Sequence, residues 1–205
     1  MKITHFVLAC SLSAIAAQAG AQTADYPNRA VRVVIGFAPG GAADTVARVM
    51  SEAFGNALKQ TVVVENKPGA GSSIAADYVV KAAPDGYTVL IASPSSISIN
   101  PALNPKLSYS SKDLKAVTKI TTSPLVLAVS TKTDIKSVAD LIKTAKANPG
   151  ALNYATSGNG SAPHLGASLF TLLTDTKMTH IPYRGGAPAI QSVMAGDTDL
   201  SFGTA

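Results

Sequence analysis

The chain has 205 residues, 46% hydrophobic and only 14% charged, with one cysteine and no tryptophan. Its 17 Lys/Arg against 12 Asp/Glu give a formal net charge of +5, but the basic residues stand singly with no stacked aromatic set, which argues against nucleic acid as a partner. Beyond the amino terminus no stretch reaches about 18 consecutive apolar residues, so no further membrane span is expected.

Met1-Lys2 is a short basic start, Phe6 to Ala17 is an apolar run too short to cross a bilayer, and Ala19-Gly20-Ala21 fits the small-x-small cleavage pattern. Residues 1–21 therefore read as a cleaved signal peptide for export, with Gln22 as the new terminus. Cys10 lies inside this leader, and the nine residues before it leave little room for the apolar region of a lipoprotein signal. The mature chain then has no cysteine, as suits an exported protein large enough to rely on its own core.

From Val31 to Phe37 the sequence is almost wholly apolar, as expected of a parallel strand covered on both faces. The period then changes: Val46, Val49, Met50, Ala53, Phe54, Ala57 and Leu58 recur at helical spacing, with Arg48, Ser51, Glu52 and Lys59 on the other side. Between strand and helix, Gly40 and Gly41 let a ligand approach the backbone, and the free N–H groups of the helix start make a seat for an anion, best a carboxylate. Thr61 to Glu65 is a second strand. Asn66-Lys67-Pro68-Gly69 turns the chain into Gly69-Ala70-Gly71-Ser72-Ser73, where Ser72 or Ser73 could cap a helix with Ile74, Tyr78, Val79 and Ala82 on one face. Tyr87 to Ala92 is a third strand, ending in the polar loop Ser93-Pro94-Ser95-Ser96.

Asn100 to Ser111 reads as irregular, Lys112 to Leu114 as a short helical turn, and Val117 to Thr121 as extended. A domain crossing is placed near Ile120 to Ser123, giving units 22–122 and 123–205. Pro124 to Ser130 starts the second unit as a strand, and Ser137 to Ala147 follows as a helix with Val138, Leu141, Ile142 and Ala145 inward. Leu152 to Thr156 is a strand leading into Thr156-Ser157-Gly158-Asn159-Gly160-Ser161-Ala162-Pro163-His164. That stretch repeats the chemistry of the first corner, with Ser161 as N-cap, Pro163 in the first turn, and Leu165, Leu169, Leu172 and Leu173 expected to pack. Met178 to Pro182 is a short strand, Ala187 to Ala195 a helix, and Asp199 to Ala205 a strand reaching a loop. Strand and helix alternate throughout, the signature of α/β architecture built from βαβ crossovers. A chain that stops in such a loop leaves its last crossover unfinished, so a truncated gene product or a fragment, cut short at the C-terminus, is expected.

Ligands of open parallel sheets lie beyond the carboxyl ends of strands. The corners Ala38 to Asp44 and Thr156 to His164 belong to different units, and facing one another across a cleft they would clamp a small anion with N–H groups and hydroxyls. The plainer alternative is that strand-to-helix turns collect glycine and serine in any α/β protein. Asp44 could reach a ligand through water or bond the free N–H groups of its own helix. His164 could touch ligand or fix its loop, Arg184 could clamp a carboxylate or stay at the surface, and Tyr183 is a wall.

Pro39-Gly40-Gly41 followed by Asp44 and Ala47-Arg48, then Glu65-Asn66-Lys67-Pro68-Gly69-Ala70-Gly71, Ala82-Ala83-Pro84-Asp85-Gly86-Tyr87-Thr88, and His180-Ile181-Pro182-Tyr183-Arg184-Gly185 with Pro188-Ala189 together resemble the Bug family. These are the extracytoplasmic substrate-binding proteins of tripartite tricarboxylate transporters. The resemblance runs from about Tyr26 to the end and implies a two-lobed periplasmic binding protein of Venus-flytrap, type II-like form. It implies a monomer that captures a small organic acid or acidic amino acid and delivers it to a membrane permease, without cofactor or metal. Carried over by position, the ligand contacts are Phe37, Ala38, Gly40 and Gly41 on one side and Thr156, Ser157, Gly158 and Ser161 on the other, with Ser72 and Ser93 on the floor. Asp44 and His164 stand beside them as candidates. Family members continue past Ala205 to complete the second lobe and return to the first.

Two other functions are weighed. An exported serine hydrolase would use Gly71-Ser72-Ser73-Ile74-Ala75, but Ala75 replaces the last glycine of the nucleophile elbow and no ordered triad with His164 or His180 is evident. A ligand-sensing partner of a sensor kinase would share the cleft and differ only in what its closed form touches.

Overall fold

The computed structural model of the chain describes residues 25–204. The leader expected over residues 1–21, including Cys10, lies outside the described residues.

A first sheet contains β1 (Val31–Ile35), β2 (Val62–Asn66) and β3 (Thr88–Ile91) in the order β2-β1-β3, all parallel. The apolar run takes the central place, with Val33, Val34 and Ile35 buried, because only a strand flanked on both sides and covered on both faces hides such a sequence. Helix α1 (Ala42–Leu58) crosses from β1 to β2, and α2 (Ser73–Val80) from β2 to β3. The buried stripe of α1 is not the expected one: Ala43 and Ala47 pack on Val33 and Ile35, while Val49 and Phe54 are exposed. In α2 likewise Ala75 and Ala76 are buried and Ile74 is exposed. Small residues win these positions because they let helix and sheet backbones approach closely.

The chain then passes through a π-helical turn (Ser95–Ile99), the short α3 (Asn100–Leu103) and a 3-10 turn (Ser111–Asp113). The stretch expected to be irregular thus holds helical turns, anchored where the Tyr109 hydroxyl donates to the Ser96 carbonyl at 2.6 Å.

The second sheet contains β4 (Leu125–Val129), β5 (Asn153–Thr156), β6 (Thr179–Pro182) and β7 (Leu200–Thr204) in the order β4-β7-β5-β6. β5 runs parallel to β6 and β7, whereas β4 is antiparallel to β7, a departure from uniform βαβ winding. Helices α4 (Val138–Ala147) and α5 (Ala162–Thr174) serve a core of Ile135, Leu141, Tyr154, Ala167, Leu200 and Phe202. On the other face, Ala189 and Val193 of α6 (Gly186–Ala195) pack on Ala155. Leu165, Leu169, Leu172 and Leu173 do not pack as expected: α5 meets its sheet through Ala167 and Phe170, leaving all four leucines exposed, Leu172 at 77% and Leu173 at 76%. A helix apolar on both stripes gives no sign in its period of which one faces inward.

Candidate functional site

The corner after β1 is held open by its own helix. Gly40 has φ +83°, in the left-handed region that favours glycine, and Gly41 starts α1 with no side-chain cap. Asp44, in the first turn of α1, reaches back over the corner and leaves the helix's first N–H groups without a side-chain cap. Its Oδ2 accepts from Gly40 N at 3.0 Å and Arg48 Nε at 2.9 Å, and its Oδ1 accepts from Arg48 Nη2 at 3.0 Å and Asn66 Nδ2 at 2.9 Å. The Arg48 hydrogen bonds, helped by Gly40 and Asn66 against the cost of burial, pull its pKa down to about 2. Four donors fill this carboxylate, so it shapes the corner from within the first sheet's unit. Asn66 also donates to the Phe37 carbonyl at 3.0 Å, fixing the loop to β2.

The turn after β2 is strained. Ala70 and Ser72, neither a glycine, have φ of +47° and +76°, each costing roughly 1–2 kcal/mol. Such conformations concentrate where a site requires them. The Ser72 hydroxyl makes no cap bond to α2; it is buried against Gly36 and has no hydrogen-bond partner, and the Ser93 hydroxyl is likewise buried and unpartnered.

The turn after β5 is bonded at both ends. Ser161 caps α5, its Oγ accepting from His164 N at 3.2 Å. Thr156 is fully buried, and its Oγ1 accepts from Gly158 N at 3.2 Å and lies 2.6 Å from His180 Nε2. Gly160 N donates to His164 Nδ1 at 3.3 Å. The His164 ring thus holds its own loop. Ser157 lies half-buried in the same turn.

The two corners singled out in the sequence do not press directly on each other; each meets a turn of the opposite sheet's unit. Ala38 N donates to the Arg184 carbonyl at 2.9 Å, and a Cβ at Gly41 would lie 3.7 Å from the backbone nitrogens of Gly186 and Ala187. Likewise, a Cβ at Gly71 would overlap the Asn159 carbonyl, and one at Gly160 would overlap the Asn100 side chain. Ala162 N donates to Ser95 Oγ at 3.2 Å across the same seam. Arg184 is exposed and enters through its carbonyl. Asn66, Ser95, Asn100 and Gly186 were not singled out as site residues from sequence. Their one available signal was position at the carboxyl ends of strands or the start of a helix.

Among the described residues, no three His, Cys, Asp or Glu side chains cluster as metal ligands, and no helix is long and apolar enough to cross a membrane.

Two α/β sheets whose strand-end turns converge on one seam form the fold of a two-lobed periplasmic binding protein, and solved proteins of that class superimpose on the chain. Rhodopseudomonas palustris MatC, solved with bound malate, matches with a TM-score of 0.83 and 32% identity, over 87% of this chain and 61% of that one. A second R. palustris protein, solved with adipate, gives 0.79 and 31%, over 88% and 60%. The chain belongs to the tripartite tricarboxylate transporter receptor family, whose model matches residues 46–204. BugT of Bordetella pertussis is 38% identical over 184 residues, covering 89% of this chain and 56% of BugT. The chain spans a little over half the length of such curated relatives.

Proposed function

We propose that this chain captures a small organic acid or acidic amino acid in the periplasm, after export by the leader at 1–21, and delivers it as a monomer to the membrane permease of a tripartite tricarboxylate-type transporter. It does so by binding, without catalysis. The lobes are 22–122 and 123–205, and ligand carboxylate is taken between Phe37, Ala38, Gly40 and Gly41 on one side and Thr156, Ser157, Gly158 and Ser161 on the other. The observation that carries this reading is the pair of buried, unpartnered hydroxyls, Ser72 and Ser93, beside a seam of glycine turns contributed by both lobes. Buried polar groups are nearly always bonded, and an unpartnered hydroxyl can donate to an acceptor-rich ligand such as a carboxylate. Because ligand touches both lobes only when they meet, binding shifts the population toward the closed form.

The relatives' malate and adipate are both dicarboxylates, which makes them first probes. In a thermal-shift screen of organic acids, a ligand at 100 times its Kd adds about 2.7 kcal/mol of stability. A rise in Tm with at least one acid supports the receptor reading; a flat panel on the full-length gene product overturns it. Gly41→Val, whose branches reach toward Gly186 and Ala187 across the seam, is expected to abolish that rise with the fold retained.

A further inference from the structure

Two histidines on consecutive elements of the second unit, α5 and β6, brace the β5–α5 turn. His164 of α5 and His180 of β6 stack with ring centres 4.2 Å apart and planes 11° apart, and Tyr154 of β5 stacks on His180 at 5.0 Å and 19°. Each ring serves one end of the turn. His180 Nε2 meets the Thr156 hydroxyl that accepts from Gly158 N, and His164 Nδ1 accepts from Gly160 N.

The His164 bond calls for a bare ring nitrogen, and the short Thr156–His180 contact is best served by one. His164 Nδ1 can accept the Gly160 N–H only without a proton of its own. Thr156 Oγ1 takes Gly158 N–H on one lone pair and has two acceptors for its own proton, the Gly158 carbonyl at 3.4 Å and the nearer His180 Nε2 at 2.6 Å; a proton on Nε2 leaves only the longer bond. Two imidazolium rings stacked this closely would in addition repel one another.

We propose that the stacked His164–His180 pair positions the turn Gly158–Ser161 and releases it when either ring takes up a proton. The role of this turn in receiving ligand rests on the function proposed above. Burial holds both imidazoles below their usual range, His180 at about 4 through burial first and the neighbouring His164 second. The rings are therefore neutral at neutral pH. A histidine whose folded pKa is depressed contributes stability fully above its ordinary 6.5, and that contribution is lost as the pH falls from there toward about 4.

Among the described residues no charged side chain outside the pair shifts either ring. Neither α5, β5, β6 nor β7 carries an Asp, Glu, Lys or Arg. On β5, Tyr154 is the titratable neighbour, with burial raising its hydroxyl above the usual value. Helix α4, which joins the same core through Leu141, carries Asp140, Lys143 and Lys146, and none of them shifts either ring.

The test is amide exchange and imidazole titration by NMR on 15N-labelled protein without ligand, so that failure of the brace is seen apart from any failure of the acid screen. Protection factors of Gly158 and Gly160 are expected to fall roughly tenfold or more between about pH 7.5 and pH 4.5, with the β1 amide of Val34 still protected. His164→Asn and His180→Gln keep a hydrogen-bonding atom near the lost nitrogen but cannot titrate, and each is expected to flatten that step at its own glycine. Rings that titrate near 6.5 with both glycines indifferent to pH would overturn the proposal, as would a step that persists unchanged in both variants.

Discussion

The hydroxyl of Ser72 packs against the backbone of Gly36, so closely that a methyl group at position 36 would overlap Ser72 Oγ, Cβ and Cα together. β1 and the turn after β2 are thereby locked side by side at the edge of the seam. Gly36→Ala is expected to lower stability by about 1–3 kcal/mol, the usual cost of overpacking. Adding Ser72→Ala should restore only part of this, because the Cβ and Cα of residue 72 remain in the way. Urea unfolding of the two variants measures both terms.

Ser72→Ala by itself should behave in the opposite sense. Removing a buried hydroxyl with no partner recovers its desolvation penalty, so stability is expected to hold or rise by about 1 kcal/mol. If the hydroxyl serves an incoming carboxylate, affinity for whichever acid raises Tm in the screen falls about tenfold, as expected for a lost hydrogen bond to a charged group. A calorimetric titration beside a thermal melt separates the two effects.

Asp44→Asn tests the support of the first corner. The carboxyl is held at about 2 against an ordinary 3.8, so the ionised form stabilises the fold by on the order of 2 kcal/mol. A depressed carboxylate contributes fully above its unfolded pKa and loses that contribution as pH falls from about 4 through about 2. The wild-type chain should therefore lose stability across that interval by an amount the variant does not share. Denaturant midpoints at a series of acid pH values read the difference.

Gly71 and Gly150 both sit in the left-handed region, at φ +58° and +83°, but only Gly71 has the other lobe against it. Alanine at either position should cost roughly 1–2 kcal/mol in backbone strain. Gly71→Ala must in addition displace the Asn159 carbonyl, and is expected to weaken ligand-dependent stabilisation, whereas Gly150→Ala has open space around it. Thermal melts with and without the active acid compare them.

Leu172→Gln and Leu173→Gln should leave stability within about 0.5 kcal/mol, as for other surface substitutions, since both side chains are more than three-quarters exposed. The packing read from periodicity would instead demand a loss of several kcal/mol, and urea midpoints decide between them.

Much of the architecture was legible in the amino-acid order because it depends on neighbours close in sequence. The nearly continuous apolar run of β1, broken only by Arg32, favours a central strand, the glycines after it a turn, and Ser161 followed by Pro163 a helix start; each follows from local sterics and hydrogen bonding. The four family motifs likewise lie along the chain in order. Tertiary structure alone decided which apolar stripe of α1 and α5 turned inward, since helical period reports a stripe and not the surface that covers it. It alone set Gly71 against Asn159 and Gly41 against Gly186, because those pairings depend on how two sheets dock across turns far apart in the sequence, and it stacked His164 on His180 by the way α5 lies on its own sheet. The corners were written locally, and what they face was determined by packing at a distance.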